Sequence, residues 1–150
     1  MREFFKRFAY GIPPVGWVFV IASLSSSQFS SSWSMEILQG IFEIFHLSVS
    51  RTMSVKINGL LRTGGHLFEY GTFALLVFWA FRAGRKEEWR WNWAAGSILF
   101  ILPIAALDEI HQSKVFSRDG SIIQFGLDCF GAIGALIILR IIHLKKRKKI

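Results

Sequence analysis

Four apolar blocks, at about 9–26, 66–82, 94–112 and 121–143, constrain this chain more than any other feature. A helix needs roughly 20 apolar residues to cross bilayer hydrocarbon, and about 17 suffice. Inside hydrocarbon each backbone N–H and C=O must be paired within the segment, so continuous apolar blocks of this length cross as helices. The sequence therefore predicts an all-α fold: one integral membrane domain, 1–150, with four transmembrane helices. The chain is 52% hydrophobic, and this content is gathered in blocks rather than spread in alternating faces, which separates it from soluble domains.

Charge fixes the expected orientation. The formal net charge of +8 would suggest nucleic acid in a soluble protein, but here the basic residues flank the apolar blocks. Arg2, Lys6 and Arg7 precede the first block, Arg82, Arg85, Lys86 and Arg90 lie between the second and third, and Lys145 to Lys149 follow the last. By the positive-inside rule these groups share the cytoplasmic side, with both termini there and no nucleic-acid partner. The start, MREFFKRF before an apolar run, has the form of a signal peptide, and a retained first helix keeps the later loops in balance. Pro13 and Pro14 are expected in the opening turn of that helix, where a missing N–H costs little. Trp89, Trp91 and Trp93 are expected to form an interfacial belt. A single cysteine, Cys129, excludes an internal disulfide and any multi-cysteine metal site.

The outer loop contains SMEILQGIFEIFHLSVS, residues 34–50. Glu36, Gln39, Glu43, His46 and Ser50 recur at helical spacing opposite Ile37, Leu38, Ile41, Ile44 and Phe45. This predicts an amphipathic helix at the outer surface, packed over the mouth of the bundle.

With four crossings, residues distant in sequence fall at one depth. His66, Glu69 and Tyr70 open the second span from outside and share a face. Asp108, Glu109, His111 and Gln112 close the third, with Asp108, His111 and Gln112 expected on one face. Arg118 lies in the outer hairpin. Asp128 lies early in the fourth span, on a face with Gly131, Ala132 and Ala135, and should point inward. Ionisable groups at the bilayer centre cost at least about 2.5–3.5 kcal/mol on insertion scales, so pairing or a ligand is expected. Three readings of this cluster stand, and spacing alone ranks them in this order. The first is structural stitching, with Arg118 folded over the carboxylates. The second is a pocket for an amphiphile with a cationic or hydrogen-bonding head group. The third is a divalent metal or acid–base site, with His66, Glu69, Asp108, His111 and Asp128 as candidate ligands.

SSSQ (25–28), HLFEY (66–70), DEIHQ (108–112), RDGS (118–121) and DCFGAIG (128–134), in this order, resemble the VanZ-like family of bacterial membrane proteins. The family pattern often carries a further aspartate shortly after the hairpin, where this chain has Gln124. Phe116 and Ser117 stand where a proline–glycine commonly precedes the hairpin arginine. The resemblance implies a bacterial cytoplasmic membrane location and lowered susceptibility to teicoplanin-type glycopeptides, whose fatty chain seats them in a membrane. The implied partners are membrane lipids and a lipid-tailed glycopeptide or lipid-linked wall precursor. Binding or exclusion of such amphiphiles is the expected function. The alternatives are a metal-assisted enzyme acting on a lipid or wall precursor and a non-catalytic scaffold for wall enzymes. Asp108→Asn is expected to remove function while leaving stability nearly intact.

Overall fold

The computed structural model describes residues 1–26, 31–85, 89–114 and 121–148, without the side chains of 2–7. They form five helices: α1 Arg2–Leu24, α2 Ser31–Ile44, α3 Arg51–Arg82, α4 Trp91–Lys114 and α5 Ile122–Arg147. No strand occurs among the described residues. The fold is all-α, as the apolar blocks predict.

Helix α3 is the axis of the bundle. It packs most extensively on α5 and also meets α1, α2 and α4. The α3–α5 crossing is close because both helices present glycine there. A Cβ on Gly131 would stand 2.6 Å from the Leu67 carbonyl oxygen, and one on Gly71 would stand 3.3 Å from the Gly131 oxygen. Tyr70, Phe73, Ala74, Val77, Phe78, Ile101, Ala105, Ala132 and Leu136 build the core around this crossing.

Two helices, α4 and α5, are long and apolar enough to cross a membrane, and Phe8–Leu24 is a shorter apolar stretch. Only 17% of the apolar window of α5 is buried inside the molecule, so most of its apolar surface faces outward. Phe130, Ile133, Ile137 and Ile138 face outward on it, as do Leu99 and Phe100 on α4. An apolar exterior of this extent suits association with a membrane.

Several boundaries differ from the sequence reading for identifiable reasons. Pro13 and Pro14 lie inside α1, not in its first turn. The helix extends back to Arg2 and carries two positions without an N–H to donate, which favours a bend there. Helix α2 ends at Ile44 rather than continuing to 50, because His46 adopts a left-handed conformation with φ 52°. Leu47 N–H donates to Phe42 O at 2.8 Å and His46 N–H to Glu43 O at 3.1 Å, the pair of bonds that closes a Schellman motif. Ser50 then caps α3, accepting from Met53 N–H at 3.4 Å. Residues 51–65, expected as loop, are the first turns of that helix. On α2, Leu38 is buried while Ile37, Ile41 and Ile44 are exposed, so its apolar face is only partly covered by the bundle.

The tryptophans divide. Trp93 is buried against Phe78, because it sits on the inner face of the first turn of α4. Trp91 is exposed, and the Arg140 guanidinium lies 5.3 Å from the Trp89 ring and 5.8 Å from the Trp91 ring. The start of α4 and the end of α5 are thereby held together at the basic end of the bundle.

Candidate functional site

At the other end, polar side chains from α1, α3, α4 and α5 converge on two adjoining clusters. The first centres on Asp108. It is buried, because α4 turns Ile101, Ala105, Asp108 and Gln112 inward along one line. Its Oδ1 accepts a hydrogen bond from the Ser25 hydroxyl, just beyond α1. Its Oδ2 accepts from the Tyr70 hydroxyl at 3.1 Å and from Gln112 Nε2 at 2.9 Å. Gln112 also reaches Ser25 Oγ at 3.4 Å. Three helices are tied through one carboxylate, and every donor is neutral. Hydrogen bonds to a charged group contribute about 1.5–3 kcal/mol each, so this knot is first of all structural.

The second cluster centres on Asp128, which is fully buried. Its Oδ1 lies 2.9 Å from His66 Nδ1, and the Gln124 amide nitrogen lies 3.2 Å from His66 Nε2. Glu109 Oε2 accepts from the Ser121 N–H at 2.7 Å and so holds the start of α5 against α4. Ser121 in turn caps α5 through Gln124 N–H at 3.2 Å. One ligand atom each from His66, Glu109 and Asp128 falls within 4.8 Å of the others.

Beside these clusters a cavity of about 250 Å3 opens between α1, α2, α3 and α4. Leu24 and Trp33 form its apolar wall, and Ser25, Arg62, His66, Glu69 and Gln112 its polar one. Glu69 is half-buried, and its backbone oxygen accepts from the Trp17 indole N–H at 3.0 Å.

The predicted residues are thus largely gathered, with one correction. His111 is exposed and belongs to neither cluster, so it leaves the set of candidate ligands. Ala105, Asp108, Glu109 and Gln112 define the inner face of α4, and His111 lies about 110° from its centre at 3.6 residues per turn. Glu109 takes the place expected for His111 and joins His66 and Asp128, whereas Asp108 is occupied by its three donors and Glu69 lines the cavity. Arg118 lies outside the described residues. Sequence reasoning missed Ser25 as a partner of Asp108 and Gln124 as a partner of His66, although SSSQ had marked the first of these segments. Comparison of the chain with protein-family models, with curated proteins and with solved structures yields no match.

Proposed function

We propose that this chain is a bacterial cytoplasmic membrane protein of VanZ-like type that lowers susceptibility to lipid-tailed glycopeptides of the teicoplanin class. In this reading it crosses the membrane four times, both termini are cytoplasmic, and residues 27–64 lie outside. Helix α3 is about 48 Å long at 1.5 Å per residue, more than the roughly 30 Å of hydrocarbon, so its first turns extend outside with α2. The polar clusters then lie just below the outer surface, at the level where such drugs meet lipid-linked wall precursors.

The observation that carries the proposal is the two-sided cavity. Leu24 and Trp33 offer an apolar wall to a fatty chain, while Glu69, His66 and Gln112 offer acceptors and donors to a polar head group. An apolar wall beside a few placed polar groups suits a ligand with a fatty part and a polar head. Binding is tested with the purified chain in detergent, following tryptophan fluorescence during titration. A saturable change is expected with a fatty-chain glycopeptide, absent with a glycopeptide lacking the chain, and lost in Trp33→Phe. Equal responses to both drugs, or none to either, would remove the amphiphile pocket.

A further inference from the structure

His66, Glu109 and Asp128 come from three different helices, all are buried, and their ligand atoms lie within 4.8 Å of one another. Two carboxylate oxygens in this group, Glu109 Oε1 and Asp128 Oδ2, are buried and accept no hydrogen bond among the described residues. A buried carboxylate oxygen is costly unless a donor or a cation takes the place of its water. The other oxygen of each residue is engaged: Glu109 Oε2 by the Ser121 N–H, and Asp128 Oδ1 by His66. Among the described residues, each carboxylate is thus engaged through one oxygen and leaves the other open to a partner of positive charge.

We propose that His66, Glu109 and Asp128 bind one divalent transition-metal ion, of the zinc or manganese class. One imidazole nitrogen and two carboxylate oxygens suit such an ion. Calcium takes six to eight oxygens, and magnesium keeps most of its water. Three protein ligands leave at least one position for water or for a ligand oxygen, the pattern of catalytic rather than structural sites. Loading at the histidine nitrogen facing Asp128 needs the neutral ring to carry its one proton on the other nitrogen, where exchange with solvent places it. The Gln124 amide then presents its oxygen to the remaining ring N–H, the orienting role that outer partners of metal-bound histidines perform. The site requires neither the glycopeptide reading nor the adjoining cavity.

The test uses the full chain in detergent, stripped with a chelator and titrated with zinc, manganese or calcium alone. One zinc or manganese per chain after desalting is expected, with a rise in melting temperature that calcium does not produce. Glu109→Gln and Asp128→Asn should each weaken binding at least 10-fold, whereas His111→Ala should bind as the parent does. The absence of saturable zinc or manganese binding by the unsubstituted chain overturns the proposal, whatever the variants do. So does unchanged affinity in both carboxamide variants, or loss of binding in His111→Ala. Glycopeptide titration of the stripped chain is read separately, so failure of one reading is not mistaken for failure of the other.

Discussion

The Tyr70 hydroxyl donates to Asp108 Oδ2 at 3.1 Å, joining the middle of α3 to the end of α4 across 38 residues of sequence. Ser25 and Gln112 donate to the same carboxylate, so it is satisfied from within the protein. This changes the expectation for its replacement. Asn at 108 keeps one acceptor but turns an N–H toward groups that also donate. Asp108→Asn should therefore lower stability by about 1.5–3 kcal/mol, the range for a lost bond to a charged acceptor. Tyr70→Phe, which removes one donor to the carboxylate, should cost about 1.5–3 kcal/mol. Thermal melts in detergent decide the matter. An Asp108→Asn protein that melts with the parent yet has lost function would return this residue to the binding site.

The α3–α5 crossing supplies a second expectation. A methyl group on Gly131 meets the Leu67 backbone at 2.6 Å to the oxygen and 2.9 Å to Cα, and backbone cannot swing aside as a side chain can. Gly131→Ala should therefore force the helices apart and cost about 1–3 kcal/mol, the range for overpacking. Gly134, one turn on, has nothing within 4 Å of its Cβ position. There the helix propensity of alanine should act alone, and Gly134→Ala should gain about 0.5–1 kcal/mol. Melting temperatures that move in the same direction for both variants would contradict the crossing geometry.

Much of this arrangement is legible in the sequence because hydrophobic blocks and small residues leave a strong local signature. The apolar runs became helices, and Asp128 lies on the inward, small-residue face with Ala132. What was illegible depends on information that periodicity does not hold. The first turns of α3, RTMSVKINGLLRTGG, mix glycine and polar residues without a clean stripe, and they form helix because Ser50 caps them and α2 packs alongside. On α4, Asp108 and Gln112 turn inward as expected, and His111 does not. Asp108, Glu109, His111 and Gln112 are all polar, and only Ala105 and Ile101 reveal which of them turn inward. The bond from Ser25 to Asp108 depends on how the end of α1 meets α4, which neither helix specifies alone.

Helix α2 stops at a residue poorly suited to the task. His46 holds φ 52° at the position after the cap where glycine is usual, and its side chain is exposed. A left-handed conformation costs an ordinary residue roughly 1–2 kcal/mol, and glycine avoids most of this. His46→Gly should stabilise the end of α2 by up to about 1 kcal/mol. Hydrogen exchange at Phe45 and Leu47 should slow, since their N–H groups donate to Ile41 and Phe42 in the closing turn. Faster exchange at these two amides would mean that the histidine side chain itself supports the turn.

The last prediction concerns sidedness, on which the proposed function depends. Arg82, Arg85, Arg90 and Arg140 lie toward the end of the bundle that carries Lys145, Lys146, Arg147 and Lys148, and Arg140 over Trp89 and Trp91 fixes the two regions together. Positive charge is retained on the cytoplasmic side, so that end is expected inside and the Asp108 and Asp128 clusters near the outer face. Cys129 is the one native thiol and is half-buried in α5, so its replacement by alanine gives a clean background. Ser48 is exposed in the segment between α2 and α3, and Arg85 is exposed just after α3. In intact cells an impermeant thiol reagent should label Ser48→Cys and spare Arg85→Cys until the membrane is opened. The reverse pattern would put the cavity in the cytoplasm, where a drug acting on the wall outside the cell does not reach it. Labelling of both sites in intact cells would mean that α3 does not cross, and the four-span reading would fail with it.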